Sequence, residues 1–239
     1  MIVLKYVLLI MCSYLLGSVN FARILSNKVM HGDITKSGSG NPGTMNMLRT
    51  YGFKAGALTL VLDALKGVIP ALAGYFLFGG DGSNVAYTGL YVGGLSAVVG
   101  HCFPVFYKFK GGKGVACVLG VFAVARPIAV LIFFVVAFIY LCIFDYASIA
   151  SFIFITALTI IEAFRFRGDM TIALLLFVLF FLTFFMHRQN IFRLLIGKEN
   201  KVNLIASLKK LGKKKKKEWK IFFNFKNMWY TNIEKLELA

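Results

Sequence analysis

"MIVLKYVLLIMCSYLLGSVNFARIL", residues 1–25, carries Lys5 as the one charge in its first twenty positions. A helix that crosses a bilayer needs about 20 apolar residues. The stretch has that length, and it lacks the basic start and small-residue cleavage site of a secretory leader. It therefore reads as a retained first membrane helix. The rest of the chain agrees. Of 239 residues, 59% are hydrophobic and only 15% are charged, and the mean hydropathy is +0.76. Soluble domains are about 45–50% apolar.

Apolar runs predict helices near residues 2–25, 55–79, 85–107, 114–126, 127–144, 146–164 and 170–187. The fourth is short for a full span and suits a half-helix entering from a surface loop. The expected fold is all-α: a polytopic membrane bundle of about seven transmembrane helices, with five or six if short runs merge. Cations set the orientation. The loop carrying Arg23, Lys28, Lys36, Arg49 and Lys54, the loop carrying Lys108, Lys110 and Lys113, and the segment with Arg188 and Arg193 would all face the cytosol. Seven passes then put the N-terminus outside and the C-terminus inside. "EAFRFRGD", 162–169, would lie outside, and its two arginines are an exception to the rule. The domain division is 1–200 as the membrane unit and 201–239 as a basic cytosolic tail. That tail concentrates much of the +17 net charge. Beside a membrane bundle, such a run reads as solvated or resting on anionic headgroups rather than on nucleic acid.

The four cysteines, Cys12, Cys102, Cys117 and Cys142, have no paired spacing. With His31, His101 and His187 they form no zinc pattern, so no metal and no cofactor are expected. The polar segments are more informative, because each suits an anion. "SGSGNPGTMN", 37–46, offers Ser37, Gly38, Ser39, Gly40, Asn41 and Asn46, followed by Arg49. Glycines let backbone N–H groups approach a phosphate, and a guanidinium matches its oxygens. A plain turn between helices is the alternative. "GHCFPVFYKFKGGKGVA", 100–116, sets His101 at a helix end, then Lys110 and Lys113 around Gly111 and Gly112 just before a helix. Free N–H groups at a helix start attract anions. The order is not that of a Walker A loop, and a positive-inside anchor is the other reading. "HRQNIFRLLIGKEN", 187–200, places His187 and Asn190 three apart, with Arg188, Arg193 and Glu199 around them.

Asp63 and Lys66, three apart within "VLDALKGVIP", are ionisable groups at membrane depth. Such groups are costly and usually paired. They form either a structural ion pair or a source of positive field for a nearby anion. Ser148 and Ser151 are candidate caps or substrate contacts. The fifth residue after each histidine is Lys36, Phe106 or Phe192, so no His-x4-Asp acyltransferase dyad exists.

Together, "GSGNPGTMNMLRTYGFKAGALTLVLDALKG", "GHCFPVFYKFKGGKGVA" and "HRQNIFRLLIGKEN" resemble the bacterial acyl-phosphate:glycerol-3-phosphate acyltransferases, the PlsY-type membrane family, from about residue 14 to residue 200. The resemblance implies a seven-helix bundle with a cytosolic site in the cell's inner membrane. It implies transfer of a fatty acyl group from acyl phosphate to the 1-hydroxyl of glycerol 3-phosphate, giving lysophosphatidic acid. It carries roles to Ser39, Arg49, Lys113, His187 and Asn190 as catalytic residues. It also matches Lys110 and Ser151 to family positions. From the residues themselves, Ser37, Gly38, Gly40, Asn41, Asn46, Lys110, Gly111, Gly112, Ser151 and Arg188 are expected phosphate contacts, and Asp63, Lys66, His101 and Glu199 supporting residues. A substrate phosphate, rather than a side chain, would take the proton. Met45 and Cys117 depart from the small hydroxyl residue and the threonine common at those positions. The expected partners are the two substrates and membrane lipid, with the chain acting as a monomer. An anion transporter and a scaffold recruiting partners through the lysine tail remain the alternatives.

Overall fold

The computed structural model describes residues 1–209. The lysine run 213–217, Lys220 and the segment "WKIFFNFKNMWY" lie outside them. One unit runs Met1–Val202, and a second begins at Asn203, where residues 204–209 are helical. Among the described residues, all regular structure is helical.

The first apolar run does not stay one helix. α1 (Ile2–Ser18) stops where Val19 turns to an extended conformation, φ −67° and ψ 115°. Asn20 then accepts the Arg23 N–H at 3.0 Å and starts the short α2 (Phe21–Ile24). A π turn over Leu25–Val29 follows. The break has a use. The freed Val19 carbonyl accepts a 2.6 Å hydrogen bond from Lys66 Nζ.

Next come α3 (Thr44–Tyr51), α4 (Phe53–Leu77), α5 (Asn84–Cys102), α6 (Val115–Ala125), α7 (Pro127–Phe144), α8 (Ala147–Arg165), α9 (Met170–Met186) and α10 (Arg188–Leu195). Among the described residues, five helical stretches are long and apolar enough to cross a membrane. A sixth counts if α9 and α10, bent by 55° at His187, form one span. The outward faces carry large exposed apolar side chains, among them Leu8 and Met11 on α1, Leu131 and Val135 on α7 and Leu174 and Phe177 on α9. In water such a surface would be unfavourable; against lipid it is the expected exterior.

α6 is the short helix read from the sequence, with 11 residues. At 1.5 Å per residue it is about 16 Å long, roughly half the hydrocarbon thickness. Polar groups occupy its far end. Arg126 Nε donates to Glu162 Oε1 at 2.7 Å, and Tyr91 donates its hydroxyl hydrogen to the other carboxylate oxygen. Arg165 reaches the Ala125 carbonyl at 3.5 Å and lies 3.7 Å from Glu162. Arg165 of "EAFRFRGD" thus has a local partner, since Glu162 is fully buried and needs cations.

α5 sits at the centre, touching α1, α4, α6 and α9, and α4 also packs along α6. Side-chain-free positions permit these approaches. A Cβ on Gly67 would lie 2.1 Å from the Cys117 carbonyl oxygen, and one on Gly120 would lie 2.0 Å from that of Ala64. Small residues allow membrane helices to touch backbone to backbone.

The expected 85–107 helix ends at Cys102. Pro104 disfavours helical geometry at Phe103, which takes φ −127° and ψ 64°. A 3₁₀ turn, Val105–Tyr107, is followed by Lys108 and Phe109 at φ 53° and 57°. These left-handed residues fold the loop back on α5. The Gly111 and Gly112 N–H groups then donate to the carbonyls of Cys102 and His101, each at 3.1 Å.

The loop before α3 is organised by Asn46. Its amide nitrogen donates to the Ile34 and Ser37 carbonyls at 3.0 and 2.9 Å, and its oxygen accepts the Ser39 N–H at 2.9 Å. Gly38 turns at φ 57° directly over this amide, and a Cβ there would meet Asn46 Oδ1 at 2.3 Å.

If the α4–α6 contact fixes the bundle, Gly120→Val lowers stability by about 2 kcal/mol or more, as overpacking does. Thermal unfolding in detergent measures this, and an unchanged midpoint would show that the contact is not limiting.

Candidate active site

The three polar segments converge at one end of the bundle. A cavity of about 110 Å³ is lined by Ser39, Asn41, Asn46 and Arg49 from the first, His101 and Lys113 from the second, and His187, Asn190 and Glu199 from the third. Asp63 from α4 and Ser148 and Ser151 from the start of α8 complete the polar wall, while Leu60, Val115, Ala116 and Ala147 supply apolar surface. Val115 and Ala116 are the first residues of α6, so its N-terminal end faces the cavity.

Three cations gather here, and each is tied. Arg49 Nε and Nη2 donate to the backbone carbonyls of Lys201 and Asn200 at 3.2 and 3.1 Å. Lys113 Nζ donates to Asn190 Oδ1. Arg193 Nε donates to Glu199 Oε2 at 2.9 Å. The other Glu199 oxygen accepts from Asn190 Nδ2 at 2.6 Å and Ser148 Oγ at 3.0 Å. Burial alone would raise the Glu199 carboxyl. The bonds from Asn190, Ser148 and Arg193, with the Arg193 charge, outweigh it and hold Glu199 below the ordinary carboxylate range. Lys113 moves down to about 8. Burial is the main cause, and Arg193 and Arg49 add positive field that Glu199 only partly offsets. A cation so placed gains from any anion that enters.

His187 is 3% exposed. Its Nδ1 lies 2.8 Å from the Thr183 carbonyl and must donate to it. In the neutral ring Nε2 then keeps a lone pair. Phe152 packs edge-on against the ring at 5.2 Å and fixes its plane.

Several residues read from the sequence stand elsewhere. The Asn46 amide is committed to its own loop on both sides, so it shapes the first segment and has no free donor for a ligand. The N–H groups of Ser39 and Gly40 are also bonded within that loop, and the Ser37 hydroxyl donates to the Asp33 carbonyl. Glycine here makes the turn rather than exposing an anion nest. Gly111 and Gly112 likewise pack on α5 with their N–H groups taken; a Cβ on Gly112 would strike His101 Nε2 at 2.1 Å. Lys110 is exposed, and its carbonyl accepts from Arg23. Arg188 is exposed and stacks on Phe185 at 4.7 Å. Lys66 is 1% exposed, 3.1 Å from Asp63 Oδ1 and bonded to Val19, so the structural ion pair is the arrangement observed. Ser151 lines the cavity while its hydroxyl bonds the Ala147 carbonyl.

Thr44 and Asn200 line the cavity without having been singled out in the sequence; Arg193 lines it where Arg188 does not, and Ser148 bonds Glu199 while Ser151 bonds the Ala147 carbonyl. A signal existed for Arg193, three residues beyond Asn190 on the same helical face. None existed for Asn200, which contributes through its backbone.

Comparison with known proteins places this arrangement. The family model for glycerol-3-phosphate acyltransferase matches residues 7–197. A glycerol-3-phosphate acyltransferase of Thermoanaerobacter pseudethanolicus is 37% identical over 203 residues, 85% of this chain and 98% of the relative. That of Aquifex aeolicus is 40% identical over 201 residues, 83% of this chain and 100% of the relative. A crystal structure of PlsY, an integral membrane glycerol 3-phosphate acyltransferase, in its glycerol 3-phosphate form superposes with a TM-score of 0.73 at 37% identity, covering 82% of this chain and 94% of that one. Its lysophosphatidic acid form gives 0.73 at 35% identity, covering 85% and 98%. With the family match spanning most of its length and the same helical architecture around one polar cavity, the chain belongs to the PlsY family of membrane glycerol-3-phosphate acyltransferases.

Proposed function

We propose that this acyltransferase moves a fatty acyl group from acyl phosphate to the 1-hydroxyl of glycerol 3-phosphate, releasing lysophosphatidic acid and phosphate. The observation that carries the reading is the single cavity in which Arg49, Lys113 and Arg193 meet. Both substrates are anionic and repel one another, and a site that seats them together needs converging cations. The solved relatives in glycerol 3-phosphate and lysophosphatidic acid forms support the same acceptor and product.

The chemistry asks the protein for placement and charge. Acyl phosphate is a mixed anhydride, already activated. The 1-hydroxyl oxygen attacks the carbonyl carbon, the carbon–oxygen bond to phosphate breaks, and the hydroxyl proton leaves on a phosphate oxygen. Arg49 exchanges its carbonyl partners at Asn200 and Lys201 for phosphate oxygens. Lys113 and Arg193 hold the second anion, Ser39 adds a hydroxyl, and Asn190 and His187 orient the attacking group. Alignment of this kind supplies about 7–11 kcal/mol, and fixed charges stabilise the developing oxyanion.

The reading extends to the setting. The 1–200 unit acts as a monomer with seven passes, counting α6 as a half-depth helix. The N-terminus is outside, and the site and basic tail face the cytosol at the inner membrane. The acyl chain of the donor stays in lipid while its headgroup enters the cavity.

Two outcomes are expected. Purified protein given labelled glycerol 3-phosphate forms lysophosphatidic acid with palmitoyl phosphate and not with palmitoyl-CoA. Arg49→Ala abolishes that transfer while remaining folded and extractable. Equal rates with the thioester would remove the donor, and near-wild-type activity of the variant would remove the role of Arg49. A further outcome concerns pH. Lys113 is charged below about 8 and loses its proton above it, while the substrate phosphate is already a dianion. The KM for glycerol 3-phosphate should therefore rise as pH increases through that value, and the rise should be absent in Lys113→Arg, whose cation does not titrate there. A flat wild-type profile contradicts the role given to Lys113.

A further inference from the structure

Five buried side-chain atoms have no hydrogen-bond partner among the described residues, and three of them belong to residues lining the cavity: Thr44 Oγ1, Asp63 Oδ1 and His101 Nδ1. Buried polar atoms are nearly always paired, so those beside a cavity call for a partner there, an ordered water or a ligand's own polar group. Asp63 is 1% and His101 3% exposed. Asp63 Oδ1 has Lys66 Nζ as its ion-pair partner at 3.1 Å and a second lone pair besides; it lies 3.8 Å from His101 Nδ1, too far for a direct hydrogen bond. A single oxygen between them can bond to both at about 2.8 Å.

The donor and acceptor inventory narrows what that oxygen is. An ionised carboxylate only accepts, so the bridging group must bring a hydrogen. A hydroxyl donates to Asp63 and still accepts from His101; a carbonyl oxygen has nothing to give the carboxylate. Lys66, 3.1 Å from the same Asp63 oxygen, offsets its charge, so the pair does not repel a nearby phosphate. Gly112 backs the imidazole and holds it in place.

We propose that Asp63 and His101 bind the 2-hydroxyl of glycerol 3-phosphate and so select a secondary alcohol at that carbon over a ketone. The assignment rests on the acyltransferase reading above. It gives the buried pair a role in specificity that the phosphate-binding cations, which touch the other end of the molecule, do not have.

Acceptor analogues test this without altering the protein. Purified wild-type enzyme and palmitoyl phosphate are supplied with glycerol 3-phosphate, 3-hydroxypropyl phosphate, which lacks the 2-hydroxyl, or dihydroxyacetone phosphate, which carries a carbonyl there. The expected kcat/KM for both analogues is about 10- to 100-fold lower, the range for a lost hydrogen bond to a charged group. Equal values for all three acceptors overturn the proposal and leave the pair holding a structural water. Asp63→Asn keeps the shape and adds a donor, so it should narrow the gap between glycerol 3-phosphate and dihydroxyacetone phosphate about tenfold or more. Because that change also removes the Lys66 ion pair and lowers activity with every acceptor, the ratio between the two acceptors is what is read, and a ratio unchanged from wild type also overturns the proposal. Wild-type enzyme that acylates glycerol 3-phosphate without discrimination defeats only this proposal; enzyme that does not acylate it at all defeats the reading beneath it.

Discussion

Three cations in one half-buried cavity repel each other, and the site depends on how that repulsion is held in check. Arg49, Lys113 and Arg193 come from separate parts of the chain and share Glu199 as counter-charge. Glu199 is itself fixed by Asn190, Ser148 and Arg193, and Arg49 rests on two backbone carbonyls. Three cations against one carboxylate leave surplus positive charge suited to anionic substrates. The second ion pair, Asp63 with Lys66, is arranged differently. Both are almost wholly buried, and Lys66 is held by Asp63 and by the carbonyl that the break after α1 exposes.

The scaffold follows from those demands. The first two loops must be rigid because one leads into α3, which carries Arg49, and the other carries Lys113. Asn46 achieves this in one by binding three backbone groups, and in the other Gly111 and Gly112 do so by bonding directly to the end of α5. The short α6 begins at the cavity and ends at the buried Glu162 cluster. Close packing against α4 through Gly67 and Gly120 sets its height.

Much of this was legible in the sequence. The run at 127–144 forms a helix with those ends, the fourth run is short as read, and the three polar segments meet in one cavity. Hydrophobic length and residue chemistry are local properties, so they survive folding. What was not legible depends on distant partners. The glycines of both loops looked like free anion nests, but the Gly40, Gly111 and Gly112 N–H groups had unseen acceptors in the carbonyls of Ser37, Cys102 and His101. The break at Val19 could not be inferred because its reason, Lys66, lies 47 positions away. Asn200 contributes a carbonyl, which no residue type advertises.

The central claim is that one residue from each segment is needed to hold one small anion. Calorimetric titration of glycerol 3-phosphate into purified wild type, Arg49→Ala, Lys113→Ala and Asn190→Ala tests it most directly. The account predicts saturable binding to the wild type and a large loss of affinity in each variant, with all four proteins folded. Undiminished binding in any one of the three would mean that its segment lies outside the anion's seat, and would contradict the account.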